Sequence, residues 1–336
     1  MKKNALLIVA LLLTYCTLSA QTNDFYDDAP QSGLTMSSLV VEGEVANPGP
    51  VDFNALPLRQ VIVKETEFAQ PDGKFTGAYQ YEGYSLYDIL DKIVLKKKNQ
   101  DDFPPIIDLY VEIENTKGDK VVFSWGEIYY PINRHQILIA SKVRRIVPSK
   151  TKELWPLPTI SKLVAATDLF TSRNIDSPVK ITIKSLDANY KIDRNTSEMY
   201  APEVAVYNHA TKVRSITDNN LQGIEQQYNT VFYGRGMGIH GTSPFKGVIL
   251  KDYLTDFLPL NPDQIKRGII VAAGMDGYRG VYTYSEVFNR NDQSELLLVP
   301  QKDTKGQGAY MLFPAMDFFS DRAIKVLSEI RLIELK

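Results

Sequence analysis

The sequence predicts an α+β protein made of two tandem domains of mixed α/β structure. Three observations carry this expectation. First, a segment recurs: Leu163-Val164-Ala165-Ala166-Thr167-Asp168-Leu169-Phe170 returns as Leu312-Phe313-Pro314-Ala315-Met316-Asp317-Phe318-Phe319, an offset of 149 residues from Asp168 to Asp317. Each copy runs on through an arginine, Arg173 or Arg322, into a closing strand. Second, 336 residues are enough for about two domains. Third, short helical stripes alternate with short strand-like runs along both copies. Hydrophobic residues make up 44% and charged residues 23%, a mixture that excludes long disorder.

Residues 1–20 have the pattern of a secretory signal. Lys2 and Lys3 precede an apolar core from Ala5 to Leu13, and Leu18-Ser19-Ala20 offers a small-residue cleavage site. The apolar run is too short to span a bilayer, so no transmembrane span is expected once it is removed. The expected location is periplasmic or secreted. The alternative is a lipoprotein anchored through Cys16, although Tyr15 stands where lipid attachment wants a small residue. Removal takes away two Lys and no acid, so the net charge moves from −2 to −4, which disfavours nucleic acid as a partner. It also removes Cys16, the sole cysteine, and with it every thiolate nucleophile, disulfide and thiolate metal ligand.

Residues 21–37 are polar and acidic and are expected to form a flexible leader. The first domain is expected over 38–186, a polar linker over 187–203 and the second domain over 204–336. Within each copy, Gly83-Tyr84-Ser85-Leu86-Tyr87-Asp88-Ile89-Leu90 matches Gly247-Val248-Ile249-Leu250-Lys251-Asp252-Tyr253-Leu254. Leu86, Ile89, Leu90 and Ile93 recur at i, i+3, i+4 and i+7, as do Leu250, Tyr253, Leu254 and Phe257, and each set predicts one apolar helix face. Ser124 with Glu127, and Thr283 with Glu286, have capping-box spacing and predict two helix starts. Continuous apolar runs at 137–140 and 296–299 predict buried strands. Alternation at 107–114, 179–183 and 330–334 predicts strands with one wet face.

This order of elements resembles the molybdopterin-binding fold of sulfite-oxidase-type oxidoreductases. The second copy matches more closely, through Gly247 to Leu254 and the turn Ala272-Ala273-Gly274-Met275-Asp276-Gly277-Tyr278. The first copy has Thr116-Lys117-Gly118-Asp119 at that turn. The resemblance implies two sulfite-oxidase-like domains and a molybdopterin cofactor held by a cysteine ahead of the Gly that opens the helix. The corresponding regions, Glu67–Pro71 and Tyr233–Arg235, contain no cysteine. The expectation is therefore a protein without a molybdenum centre, with no cofactor, binding a small anionic ligand or a protein partner. The alternative is a molybdopterin-dependent oxidoreductase that holds its cofactor without a Cys ligand. Only His135, His209 and His240 supply imidazoles, so no dedicated metal site is expected.

The candidate ligand-binding residues are Arg235, Gly236, Gly238, His240 and Arg322. The stretch Tyr233-Gly234-Arg235-Gly236-Met237-Gly238-Ile239-His240-Gly241 alternates Gly with other residues, which lets backbone N–H groups approach an anion. Arg235 adds a bidentate donor and His240 a group that titrates near neutrality. The competing reading is a tight loop between strands. Arg173 and Arg322 sit at equivalent positions, and the competing reading pairs them with Asp168 and Asp317. Clustered aromatics (Tyr79, Tyr81, Tyr84, Tyr87) suit stacking or core packing. The carboxylates of Glu65, Glu67 and Asp72 have no separation fixed by sequence. Catalytic residues are not assignable, because no nucleophile elbow, zincin helix or Walker loop occurs.

Overall fold

The apolar stripes that predict helices do fold as helices, but for a single turn each. In the computed structural model α1 spans Leu86–Leu90, α2 Trp125–Tyr129, α3 Leu250–Leu254, α4 Pro262–Arg267 and α5 Tyr284–Phe288. The structure describes residues 29–335 apart from 70–72, 149, 189, 191, 194–198, 218–219, 235–237 and 302–308; the side chains of 232, 234 and 238–240 are also outside the described set. The protein is 47% strand and 13% helix, and the chain folds into four sheets arranged as a four-bladed, propeller-like ring. The expected α+β class with two sulfite-oxidase-like domains is thus corrected to a mainly-β fold. The physical reason is length. Leu86, Ile89 and Leu90 bury one helical face as the periodicity requires, yet so few residues gain almost no helical cooperativity and serve as plugs between sheets.

Ten strands form the first half: β1 (Ser32–Gly33), β2 (Val40–Gly43), β3 (Gly49–Pro50), β4 (Arg59–Glu67), β5 (Lys74–Ser85), β6 (Leu109–Asn115), β7 (Lys120–Ser124), β8 (Ile137–Arg145), β9 (Lys162–Ala165) and β10 (Pro178–Ser185). The second half contains β11 (Val204–Asn208), β12 (Thr211–Ile216), β13 (Glu225–Gly234), β14 (Gly238–Ile249), β15 (Gly268–Gly274), β16 (Arg279–Thr283), β17 (Leu296–Pro300), β18 (Tyr310–Pro314) and β19 (Leu327–Glu334). One sheet of the first half runs β3-β2-β10-β6-β7, and the second half repeats it as β12-β11-β19-β15-β16. The other first-half sheet runs β1-β8-β5-β4 with β9 beside β8, and its counterpart is β13-β14-β17-β18. The strand order of β2 to β10 therefore recurs in β11 to β19. Pairing is antiparallel except for β2 with β10 and β11 with β19, which are parallel in both halves.

The repeated glycine that opens each helix motif has a packing reason. A Cβ on Gly83 would lie 2.1 Å from the Ile139 carbonyl oxygen, and one on Gly247 would lie 2.4 Å from that of Leu298. Both glycines let a long strand cross its neighbour at backbone contact, just before the chain turns into α1 or α3.

Each half buries its core between its two sheets. Leu39, Leu86, Val111, Phe123 and Ile139 belong to the first core, and Val206, Leu250, Tyr282, Leu298 and Leu332 to the second. Across the halves, Val122 and Leu186 pack against Ile269, Val271 and Val281. Residues 1–20, read as a signal peptide, and residues 21–28 of the expected leader lie outside the described residues. From Ser32 the chain is already paired with β8, and Leu34 is buried, so ordered structure begins before Ser38. In the expected linker, Tyr190 donates to Glu329 and Ala201 is buried.

Candidate functional site

The recurring segment identified in the sequence turns out to be the clasp between the halves. Asp168 and Asp317 each follow a strand, β9 or β18, by three residues, where the chain turns toward the other half. Leu169 N–H donates to the Asn289 carbonyl at 2.7 Å, and Phe318 N–H donates to the Tyr130 carbonyl at 2.7 Å. Asn291 N–H reaches the Thr167 carbonyl at 2.8 Å, and Ile132 N–H reaches that of Met316 at 3.1 Å. Asp168 forms an isolated backbone β-bridge with Arg290, and Asp317 forms one with Pro131. Each half thus lays its clasp along the segment that follows the short helix of the other.

Beneath the clasp lies a buried ionic network with the same reciprocity. Arg173 grips Asp168 through two bonds of 2.8 and 2.6 Å and reaches Glu127 at 2.7 Å. Arg322 grips Asp317 through two bonds of 2.7 Å and reaches Glu286 at 2.8 Å. Both predicted capping boxes are complete at the starts of α2 and α5. Their hydroxyls also cross over: Ser124 donates to Glu286 at 2.6 Å, and Thr283 donates to Glu127 at 3.1 Å. Arg173 approaches Thr283 and Arg322 approaches Ser124. Two guanidiniums therefore face four carboxylates in a site largely closed to water. Burial pushes the Asp317 carboxyl up to about 6 despite its pairing with Arg322. Burial also raises Glu127, against the lowering effect of Arg173 and with help from Glu286 and Asp168.

A cavity of about 280 Å³ opens where the clasp segments meet. The first half contributes Glu127, Pro131, Ile132, Asn133, Gln136, Ile137, Ala166 and Thr167 to its wall, and the second half Arg290, Asn291, Asp292, Ser294, Ala315 and Met316. Several are counterparts: Pro131 and Arg290, Ile132 and Asn291, Asn133 and Asp292, Thr167 and Met316. The pocket straddles the internal repeat, yet the paired positions differ in chemistry. Glu127 reaches it with 6% of its side chain exposed, whereas Glu286 is closed off at 0%. Arg290 is paired with Asp292 through Nε at 2.9 Å and through Nη2.

Of the residues expected to bind a ligand, Arg322 lies in this network with its side chain fully buried, so it holds the interface and presents nothing to an open face. The competing reading of Arg173 and Arg322, pairing with Asp168 and Asp317, is what the structure contains. Arg235 and Gly236 lie outside the described residues. Gly238 and His240 are in β14, with Gly238 paired to Gly234, and their side chains are outside the described set.

A second group has the composition of a hydrolase site but not its geometry. Ser85 Oγ lies 2.9 Å from His135 Nδ1 and donates to Asp88 at 2.7 Å. Ser85 is fully buried and caps α1 by accepting from Asp88 N–H, while Asp88 is also held by Arg59. A nucleophile needs a free path to its substrate, and this hydroxyl has none. Among the described residues no group of three or more His, Cys, Asp or Glu is placed to hold a metal ion, and no helix is long and apolar enough to cross a membrane. No protein-family model matches the chain, and no curated protein is similar enough to match it.

Sequence reasoning missed the pocket residues Asn133, Gln136, Arg290 and Asn291. The one available signal was their position: they follow the two capping-box helices at equivalent places and differ between the copies.

Proposed function

We propose that the chain is an exported, non-catalytic binding protein that holds a small ligand in the pocket between its halves. The observation that carries this reading is the pocket's construction. Equivalent positions of two otherwise similar halves meet there with unlike chemistry, Pro131 and Ile132 opposite Arg290 and Asn291. A concave site with an apolar wall, a few convergent polar groups and a titratable carboxyl is the usual form of a small-molecule site. The export signal read at residues 1–20 supports placement outside the cytoplasm. Among the described residues that line the pocket, none is a nucleophile beside a base, and the reading is accordingly binding rather than chemistry.

The test is thermal shift and native mass spectrometry of the mature protein against a panel of small polar metabolites, run beside Asn291→Trp. Asn291 is exposed at the rim, and its clasp bond uses the backbone, so an indole there should obstruct the pocket while leaving that bond in place. Ligands that stabilise the wild type and not the variant support the reading. A ligand bound equally by both would refute it.

A further inference from the structure

We infer that this pocket selects a small ligand with a primary ammonium head and a short aliphatic tail. The inference rests on the proposed binding role and specifies its ligand. Charge decides the head group. Glu127 is faced by Arg173 and Asp168 from the clasp of its own half and by Glu286 from α5; Arg322 and Asp317 lie beyond. On the pocket wall Arg290 is neutralised by Asp292. Behind the wall two guanidiniums stand against four carboxylates, of which Glu127 alone lines the pocket, and the lining Arg290 is already paired. Burying a further anion there adds to an existing excess of negative charge, while a cation relieves it. Burial is the main cause of the upward displacement of Glu127, and the neighbouring carboxylates Glu286 and Asp168 add to it against Arg173.

The shape of the lining decides what kind of cation. Asn133, Gln136 and Asn291 bring side-chain amides, whose carbonyl oxygens can accept from an ammonium. Among the described residues no aromatic ring lines the pocket, so a quaternary ammonium would lack the cage that usually holds it. Ile132, Ile137, Ala166 and Met316 offer room for a few methylenes. A free alkylamine and a lysyl side chain share this chemistry.

An ammonium that takes the place of the Glu127 proton makes binding proton-linked. Affinity should rise about tenfold per pH unit until Glu127 is ionised in the free protein. The experiment is calorimetric titration of the mature protein with n-butylammonium, Nα-acetyl-lysine amide, tetramethylammonium, n-butanol and butyrate at pH 6, 7 and 8. The expected result is saturable butylammonium binding with proton release, and no comparable binding of the last three. The lysine derivative separates a peptide source from a free amine. Glu127→Gln should lose the pH dependence and at least about tenfold in affinity. Because that change touches the buried network, Asn133→Lys provides a second route: a built-in ammonium at the exposed rim should abolish amine binding and raise the melting temperature. If butanol or butyrate binds as well as butylammonium and Asn291→Trp blocks it, the ammonium inference is overturned while the pocket stands. If no probe binds, the ammonium inference is overturned and the metabolite panel decides the pocket; if Asn291→Trp binds them unchanged, both readings fall.

Discussion

The buried network should make stability fall as pH rises through the weakly acidic range, opposite to the usual behaviour of paired surface carboxylates. Asp317 is the group from which the size can be worked. Its carboxyl stands at about 6 in the folded protein against 3.8 for the ordinary side chain. A folded value above the unfolded one means the native state holds a proton that the unfolded chain has already released. The associated stability is fully present below pH 3.8 and is lost as pH rises through 6. Over pH 4.5 to 6.5 the loss from this one group is about 2 kcal/mol, at ~1.4 kcal/mol per unit of full displacement. The side chain is 1% exposed, so solvent screening removes little of it. Glu127 is displaced in the same direction and adds the same sign.

Other groups must be separated from this effect. Glu82 and Asp88 are held below their ordinary values and lose stability at more acidic pH, below this window. His135 is lowered by burial, so its contribution rises with pH. The clean quantity is therefore the difference between wild type and Asp317→Asn. The assay is urea unfolding of both at pH 4.5, 5.5 and 6.5. The wild type should lose about 2 kcal/mol relative to the variant across the series. A constant offset between the two proteins would show that Asp317 does not carry the proton and would refute the reasoning.

Two further perturbations probe the interface by packing and hydrogen bonding. A Cβ on Gly126 would sit 2.3 Å from Arg322 Nη1. Arg322 is locked by Asp317 and Glu286 and cannot swing away, so Gly126→Ala should cost on the order of 3 kcal/mol in chemical denaturation. Asn289 is buried and binds Phe170 at both its N–H (2.8 Å) and its carbonyl (2.9 Å), so Asn289→Ala strands two backbone groups and should cost about 3 kcal/mol, with faster amide exchange at Phe170. Unchanged exchange at Phe170 would count against this pairing as the holder of the clasp.

Much of the local chemistry was legible in the sequence because it is local. Ser124 with Glu127 and Thr283 with Glu286 specify capping boxes within four residues, and both boxes form. Leu86, Ile89 and Leu90 named their buried face correctly. The fold class was not legible, because a stripe of one turn looks the same whether it opens a long helix or fills a gap between sheets. Nor was the crossing of the caps. The sequence shows two serine/threonine–glutamate pairs, but not that each hydroxyl serves the glutamate of the other copy. That contact depends on how β7 and β16 face one another, and no spacing encodes it.

The crossing also explains why the recurring segment is kept in two similar versions while neighbouring positions diverge. Each clasp must satisfy an arginine of its own half and the backbone of the other, so Asp168 with Arg173 and Asp317 with Arg322 are bound to the same geometry twice. A buried ionic network of this kind contributes less net stability than an apolar core of equal volume. Its reciprocity does something an apolar core does not: a half shifted in register would break the crossed Ser124–Glu286 and Thr283–Glu127 bonds and leave buried polar groups of both halves unsatisfied. Pro131 against Arg290 and Ile132 against Asn291 lie one step outside that constraint, above the network and along the same clasp. They are free to differ without breaking the pairing, and at that level the two halves enclose a pocket with two unlike walls.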